Sequence, residues 1–319
     1  MGLPKIAMTQ TLSNPLRGIL MKCLSVLIFT VMGALIKATS TGDFAVPSGQ
    51  QVFFRSFFAL PVILVWLAFR GDLRSGLRTH RPMGHFWRGI CGTAAMALWF
   101  KGMAMLPFPE VTALNYAAPL FTVLLAALLL GEQVRLFRLS MVGLGLIGVL
   151  IVLSPRLTAH EGLRDGQMLG ALVTLAGACC TAMAMIFVRK LAQQEQTSAI
   201  VFWFSVTSTV LSLLTLPSWI LPGAGTLAVL VAIGLLGGVA QILLTSAYRL
   251  ADASLVAPFE YVSMLLALAI GWYFFDEAAT PTMLAGAALV ITAGILIIWR
   301  ERQLGLERNR QRKAMTPQG

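Results

Sequence analysis

Ten runs of apolar residues, each about 20 residues long, follow one another along the chain with only short connections between them. A run of this length crosses the hydrocarbon core of a bilayer as an α-helix. Barrel strands alternate apolar and polar residues, whereas these runs are apolar throughout, so the pattern favours helices. The pattern predicts an all-α integral membrane protein with ten transmembrane helices, at residues 16–37, 48–69, 86–106, 110–130, 138–154, 167–188, 198–217, 226–247, 253–275 and 281–299.

The connections contain many Gly and Pro residues, and none is long enough to form a separate soluble domain. The predicted organisation is an N-terminus at 1–15, a first five-helix unit at 16–154, a linker at 155–166, a second five-helix unit at 167–299 and a basic tail at 300–319. The tail is polar and is predicted to be disordered. Within the fourth and ninth spans, Pro119 and Pro258 are each expected to free a backbone carbonyl one turn upstream.

The composition also points to a membrane. Of the 319 residues 57% are hydrophobic and only 12% are charged, too few to cover a soluble domain of this length. The four cysteines lie within apolar spans and the three histidines lie in connections, without the spacing of metal ligands. We therefore predict no metal site and no disulfide framework.

The lysines and arginines are distributed unevenly between the two sides of the membrane. If ten helices alternate from a cytoplasmic N-terminus, eighteen of the 24 lysines and arginines fall on the cytoplasmic side, and only Arg156 and Arg164 fall on the other. This arrangement counts Arg88 as part of a cytoplasmic connection. Because cytoplasmic connections carry an excess of Lys and Arg, both termini are predicted to be cytoplasmic. The same bias explains the net charge of +11 without a nucleic-acid partner.

The two halves of the chain repeat each other. When the chain is shifted by 145 residues, segment 102–132 falls on 247–277, and FFRSFF (53–58) lies opposite FWFS (202–205) with a small indel. Each half has five spans, an odd number, so the second half must be inverted. Inverted halves form a transport site between them, and a duplicated enzyme or structural protein is the alternative. The matching residues are Tyr116 with Tyr261, Glu132 with Glu277, Gly89 with Gly234, and Gly92 with Gly237.

These residues carry a resemblance to a known family. The segment RGICGTAAMALWFKGMAMLPFPEVTALNYAAPLFTVLLAALLLGE (88–132), its second-half echo and the paired five-helix units resemble the EamA family of the drug/metabolite transporter superfamily, over about residues 16–299. The resemblance implies ten helices, a central cavity open alternately to each side, and the bacterial inner membrane. Members move amino acids, nucleosides, cofactor-like metabolites and drugs, so the family does not fix the substrate. The segments at 53–61 and 88–100 resemble a subgroup of riboflavin or S-adenosylmethionine importers.

Lysines and arginines within the spans need a cavity, a partner or the interface, because charge in lipid is costly. Arg55 lies in the second span. Its functional interpretation is a contact with an anion or carboxylate, or a gating ion pair. Its structural interpretation is a side chain that snorkels to the interface or pairs with a helix C-terminus. The resembled family often has an arginine at this place. Lys101 is expected to reach the interface, with a substrate contact as the alternative. Lys22 and Lys37 lie nearer span ends and are expected to be interfacial anchors.

Three further polar residues are candidates for a substrate or coupling site. Glu260 is expected to carry a proton across or to hold a cationic substrate group, and the alternative is a pair with Arg249 or another base. Asn115 is its repeat partner in the fourth span, so the two are predicted to face each other across the pseudo-two-fold axis. Gln241 is a neutral member of this set.

Aromatic residues lie near these polar ones in the sequence. Trp99, Tyr116, Trp203 and Tyr261 are candidates for stacking against a flat heteroaromatic substrate. Ordinary packing or an interfacial belt is the alternative for each of them. The small residues Gly143, Gly145, Gly148, Gly286 and Gly294 are expected to mark close helix packing.

No Walker A, G-x-S-x-G or H-E-x-x-H motif occurs, so no ATP hydrolysis, cofactor or enzymatic activity is predicted. The sequence predicts a secondary transporter in the cell inner membrane. Its partners are a small-molecule substrate and the lipid bilayer. Coupling to protons, assembly as a homodimer and the direction of transport are left open. Import of riboflavin or a similar nitrogen-rich metabolite ranks first, ahead of S-adenosylmethionine import and amino-acid or drug export. A membrane-embedded enzyme on a lipid carrier and an auxiliary membrane protein are the alternatives of other classes.

Overall fold

The computed structural model describes residues 15–42, 45–130, 136–158, 166–192, 194–251 and 253–315. Within these ranges every regular element is a helix, which confirms the all-α prediction. The predicted N-terminus at 1–15 and the predicted linker at 155–166 lie largely outside the described residues, and so does Glu132.

Helices follow one another along both halves of the chain. In the first half they are α1 (Pro15–Ser40), α2 (Ser48–Phe57), α3 (Ala59–Phe69), α4 (Leu73–Leu77), α5 (Pro82–Met105), α6 (Phe108–Asn115), α7 (Ala117–Leu130) and α8 (Leu136–Thr158). In the second half they are α9 (Gln167–Ala192), α10 (Thr197–Ser212), α11 (Ala224–Leu250), α12 (Ala253–Val256), α13 (Val262–Phe275) and α14 (Pro281–Met315), with 3-10 helices at Leu213–Ser218 and Ala257–Tyr261.

Nine helical stretches in the described part of the chain are long and apolar enough to cross a membrane. They correspond to nine of the ten predicted spans. The predicted third span, 86–106, corresponds to α5, which is 24 residues long and is not among the nine. Arg88 and Lys101 lower the hydropathy of α5. This helix starts at Pro82, earlier than predicted, because proline favours the first position of a helix.

Four of the described spans are interrupted, each beside a proline. In the seventh, α10 gives way to the 3-10 helix Leu213–Ser218, which contains Pro217. α2 gives way to α3 shortly before Pro61, and α6 gives way to α7 at Tyr116, just before Pro119. The 3-10 helix Ala257–Tyr261, which precedes α13, contains Pro258. Proline lacks an N–H and its ring clashes with the carbonyl four residues upstream, so an α-helix does not continue through it unchanged. The fourth and ninth spans therefore break at equivalent places.

Three long helix pairs form the frame of the bundle: α1 packs along α11, α5 along α9, and α8 along α14. Glycines permit the close approach in the last pair. A Cβ on Gly286 would lie 2.5 Å from the carbonyl oxygen of Gly148, and one on Gly148 would lie 2.7 Å from the carbonyl oxygen of Gly286. Small residues at such contacts let helices associate in lipid. The prediction that these two glycines mark close packing is confirmed.

The described connections lie at two ends of the bundle. Gly18, near the start of α1, lies against the end of α11. Lys37, near the end of α1, contacts Leu106 in the connection before α6 and Glu277 in the connection after α13. We name the two ends the Lys22 end and the Lys37 end, after the two lysines of α1 that lie near them.

The predicted disorder of the tail is wrong for residues 300–315, since α14 continues from Pro281 to Met315. Arg, Glu, Gln and Leu predominate after the membrane span, and these residues favour helix. Residues 316–319 lie outside the described part of the chain.

Glu195 joins two connections outside the spans. The backbone N–H groups of His80 and Arg81 donate to its Oε1 over 2.6 and 2.8 Å. The hydroxyl of Thr79 donates to the same oxygen over 3.0 Å, and Nε2 of His85 lies 3.9 Å from Oε2. Burial raises the pKa of Glu195, but the hydrogen bonds favour the ionised form more strongly, so the pKa lies below its ordinary value.

We expect Glu195→Gln to lower the apparent melting temperature by a few degrees, because three donors lose a charged acceptor at a cost of about 1–3 kcal/mol. Since folding lowers the pKa of Glu195, its stabilisation is present above the ordinary value of 4.5 and is lost as the pH falls through the folded value. The gap between the parent and Glu195→Gln should therefore be constant near neutral pH and shrink in acid. Thermal unfolding in a His85→Gln background removes the titration of the imidazole, and a gap that widens in acid would contradict the account.

Candidate functional site

Two arginines and a phenylalanine meet inside the bundle. Arg55 of α2 and Arg88 of α5 both lie over the ring of Phe204 in α10, with their guanidinium carbons 5.7 and 3.7 Å from the ring centroid. Arg55 is only 6% exposed and Phe204 only 8%. Guanidinium groups at these distances from an aromatic face form cation–π contacts. We name these three residues the arginine cluster. It contains one predicted site residue, Arg55.

Two glycines make room for the guanidinium groups. A Cβ on Gly237 would lie 3.3 Å from Nε of Arg55. A Cβ on Gly92 would clash with Nη1 of Arg88 and lie 2.7 Å from the ring of Phe204. Gly92 and Gly237 are the residues that coincide when the chain is shifted by 145 positions. Each half of the chain therefore contributes one glycine on which an arginine of the cluster rests.

Several polar atoms of the arginine cluster have no acceptor. Within the described residues, Nε of Arg55 and both Nε and Nη1 of Arg88 are buried without a hydrogen-bond partner. The ion pairs among the described residues are formed by other basic residues, namely Lys22, Lys37, Arg70 and His85. The guanidinium groups also repel each other. The described part of the chain thus places two positive charges together inside the bundle without a carboxylate beside them.

Tyr116 and Tyr261, the predicted repeat partners, contact each other where the fourth and ninth spans break. Their ring centroids are 5.1 Å apart and the ring planes make an angle of 69°, which is the edge-to-face arrangement that aromatic pairs favour. The hydroxyl of Tyr116 lies 2.6 Å from that of Ser263. The structure therefore brings these two predicted site residues together between the halves.

Glu260 is paired with Lys22. The Nζ of Lys22 donates to Oε2 of Glu260 and lies 5.6 Å from the ring centroid of Tyr248. The lysine side chain is 1% exposed and the glutamate side chain is 52% exposed, so the acid is accessible and its partner is not. The expectation that Lys22 anchors the interface is wrong, because its side chain turns inward to an acid of the other half. Asn115 is half-buried and is not the partner of this carboxylate.

Lys37 forms a corresponding contact at the opposite end. Its Nζ donates to the carbonyl of Leu106 over 2.6 Å and lies 3.0 Å from Oε1 of Glu277. The other oxygen of Glu277 accepts the backbone N–H of Phe108 over 2.7 Å. The side chain of Lys37 is buried, so the expectation of an anchor is wrong here as well. α1 therefore carries an ion pair near each of its ends, both to acids that flank α13.

Three other predicted site residues lie outside these contacts. Lys101 is exposed on α5, which supports the interfacial role over a substrate contact. Trp203 donates its Nε1–H to the carbonyl of Leu77 over 3.0 Å, a structural contact between α10 and the end of α4. Trp99 is partly buried, and its Nε1–H has no acceptor among the described residues.

Gln241 lines a small cavity between the second, seventh and eighth spans. A pocket of about 390 Å³ adjoins it and shares Trp66, Ser198 and Thr245 with its lining. Arg70, Asp72 and Glu195 also line this larger pocket. Gln241 therefore lies beside a pocket that opens among the connections joined by Glu195.

The two halves of the chain each match the same known protein family. The model of the EamA-like transporter family matches residues 16–154 and matches again at residues 168–299. The chain belongs to this family. The resemblance inferred from segment 88–132 is thereby confirmed, and with it the expectation of a transporter of the drug/metabolite superfamily.

Several relatives of this EamA protein have assigned transport roles. An S-adenosylmethionine uptake transporter from Rickettsia prowazekii is 27% identical over 93% of this chain and 97% of its own length. A riboflavin transporter from Rhizobium johnstonii is 30% identical over 91% of this chain and 93% of its own length. The pseudopaline exporter CntI from Pseudomonas aeruginosa is 28% identical over 88% of this chain and 95% of its own length.

A crystal structure with 20% sequence identity aligns with this EamA protein at a TM-score of 0.61. The alignment covers 88% of this chain and 96% of the other chain. At this level of identity the likeness shows a shared fold.

Arg88 lies at the start of the predicted third span, 86–106, where the charge distribution assigns it to the cytoplasmic connection, so it is not among the predicted site residues. Its signal is Pro82, a residue favoured at the first position of a helix, which moves the start of the third span from residue 86 to residue 82 and places Arg88 six residues into the helix. A reading based on hydropathy gives less weight to this stretch because His85 and Arg88 are polar. For Lys22 and Lys37 the sequence carries no such signal, since a lysine near a span end can turn outward or inward.

Proposed function

We propose that this EamA protein is a secondary transporter that moves a small organic metabolite by alternating access between two inverted five-helix halves. The observation that carries the proposal is a symmetry in the packing. In the repeat, α1 corresponds to α9, α5 to α11, and α8 to α14. Replacing each helix by its counterpart therefore converts the packed pair α1–α11 into the packed pair α9–α5 and leaves the pair α8–α14 unchanged. The family model matches each half separately, which supports the same duplication.

The proposal includes α5 as a tenth span. Gly84, at the start of α5, lies against Leu191 at the end of α9, and Met105, at the end of α5, lies against Gly170 at the start of α9. α5 therefore runs antiparallel to a helix long and apolar enough to cross the bilayer, over almost its full length. With α5 included each half has five spans, and an odd number inverts the second half.

The orientation proposed is that of an inner-membrane protein with both termini in the cytoplasm. The excess of Lys and Arg in the connections of one side supports it. The Lys22 end is then cytoplasmic and the Lys37 end is periplasmic. The pocket beside Gln241, which reaches Thr245 near the end of α11, opens on the cytoplasmic side.

The ion pairs at the two ends of α1 are the contacts we propose to open in turn. Lys22–Glu260 joins the halves on the cytoplasmic side, and Lys37–Glu277 joins them on the periplasmic side. Because Glu260 is half exposed while Lys22 is buried, a proton or a cationic substrate group can reach the acid from the cytoplasm and loosen the pair. This makes Glu260 the proposed coupling residue.

Import of riboflavin or of S-adenosylmethionine is the proposed activity, since a riboflavin transporter and an S-adenosylmethionine uptake transporter align over more than nine tenths of this chain. The contact of Tyr116 with Tyr261 supplies an aromatic wall between the halves on which a flat substrate can stack. Amino-acid or drug export is the alternative, and the relative that exports pseudopaline supports that direction.

We expect the purified protein in proteoliposomes to take up radiolabelled riboflavin or S-adenosylmethionine, and to do so faster under an imposed pH gradient. Glu260→Gln should abolish the effect of the gradient, because the amide cannot carry a proton. Asp276→Asn is the matched control, since this acid is exposed at the end of α13. Uptake of neither compound would remove them as substrates, and gradient-driven uptake that survives Glu260→Gln would refute the coupling role.

A further inference from the structure

The arginine cluster holds more positive charge than its surroundings balance. Arg55 and Arg88 face the same ring, and among the described residues neither one has a carboxylate partner. Three of their N–H-bearing nitrogens are buried without an acceptor. Burying a cation is costly, and the cost is recovered only by a counter-charge with good hydrogen-bond geometry. Two cations side by side make the deficit larger.

The described residues around the cluster do not supply that counter-charge. The faces of Phe204 attract both cations, but a cation–π contact provides no hydrogen-bond acceptor for a guanidinium group. The described acids that form ion pairs do so with other basic residues: Glu260 with Lys22, Glu277 with Lys37, Asp72 with Arg70 and Glu195 with His85. No described residue therefore supplies the counter-charge, and an anionic group from outside the chain can provide it.

The position of the cluster matches the place where a substrate must pass. Arg55 lies about one third of the way along the second span from the Lys37 end, and Arg88 lies about one quarter of the way along α5 from the Lys22 end. Their long side chains converge from opposite ends on Phe204, which lies opposite Arg55 when the segments 53–58 and 202–205 of the two repeats are compared. Substrate sites of inverted-repeat transporters lie in this middle region between the halves.

We propose that Arg55 and Arg88 bind an oxyanion group of the transported substrate, a carboxylate or a phosphate. The proposal deepens the transport function and rests on it for the identity of the bound molecule as a substrate. Guanidinium groups present paired N–H donors that match both kinds of oxyanion. Gly92 and Gly237 keep the approach to the two guanidinium groups free of side chains. Among the candidate substrates this favours S-adenosylmethionine, which carries a carboxylate, over the neutral riboflavin.

The first test needs no substrate. If the arginines serve binding, Arg55→Met and Arg88→Met should each leave unchanged or raise the apparent melting temperature of the ligand-free protein in detergent. The double variant should raise it by several degrees. The reason is that methionine keeps the aliphatic packing and removes the uncompensated charge. Lys101→Met is the matched control for loss of one exposed positive charge. A fall of the melting temperature in both single variants, greater in the double, would assign the cluster to structure and overturn the proposal.

The second test measures the anion directly. Sodium succinate or sodium phosphate is titrated against sodium chloride at constant ionic strength while the melting temperature is followed. The parent protein should show a saturable rise, and the double variant should show at least a tenfold weaker response. A lower half-saturation for succinate points to a carboxylate substrate, and one for phosphate to a phosphorylated substrate. Equal responses of parent and double variant would overturn the site. A saturable response without uptake of any tested metabolite would instead count against the transport function and leave the anion site intact.

Discussion

Replacing Lys37 by methionine is expected to lower the apparent melting temperature by roughly 10 °C. The substitution leaves the carboxylate of Glu277 without its cation and the carbonyl of Leu106 without its donor, while both stay enclosed between α1, α5 and α13. Removing one partner of a buried pair costs about 3–5 kcal/mol, because the remaining charge stays desolvated. Heating the detergent-solubilised protein and counting the surviving monomer by size-exclusion chromatography measures the change.

A double-substitution cycle shows whether the pair itself is responsible. Lys37→Met combined with Glu277→Gln should cost less than the sum of the two single substitutions, since the neutral pair leaves no uncompensated charge. Lys101→Met is the control, because this lysine is exposed on a neighbouring helix. If Lys37→Met and Lys101→Met unfolded at the same temperature, the buried contact would not stabilise this end of the bundle.

The membrane architecture was predictable because a span needs only sufficient length and apolarity. Nine spans meet that requirement clearly, whereas the third, α5, is less apolar because Arg88 and Lys101 lower its hydropathy. Pro82 was the better guide, since it marks the helix start independently of hydropathy.

The candidate site was predictable where the repeat relates its members. Tyr116 and Tyr261 coincide in the repeat and contact each other in the bundle. The partner of Glu260 was not predictable in this way, because Lys22 has no counterpart that marks it as inward-facing. Whether a lysine near a span end reaches the interface or an acid of another helix depends on how the helices pack, and hydropathy carries no information on that packing.

A single methyl group at Gly286 is expected to lower the apparent melting temperature by roughly 5–10 °C, since overpacking costs about 1–3 kcal/mol. The Cβ of Gly286→Ala would lie 2.5 Å from the carbonyl oxygen of Gly148 and 2.8 Å from the backbone nitrogen of Val152. Both contacts are with backbone, which cannot rotate away as a side chain can. α14 must then move away from α8 along the line where the last spans of the two halves meet.

The matched control lies on the same helix pair. Gly143 of α8 is exposed, and a Cβ there would meet nothing within 4 Å, so the expectation that it marks close helix packing is wrong. Gly143→Ala is therefore expected to leave the melting temperature unchanged or raise it slightly, because alanine is favoured over glycine in a helix by up to about 1 kcal/mol. The two substitutions make the same chemical change in helices that face each other, so opposite signs isolate the close contact. Shifts of the same sign and size would mean that α8 and α14 do not approach as closely as Gly148 and Gly286 place them.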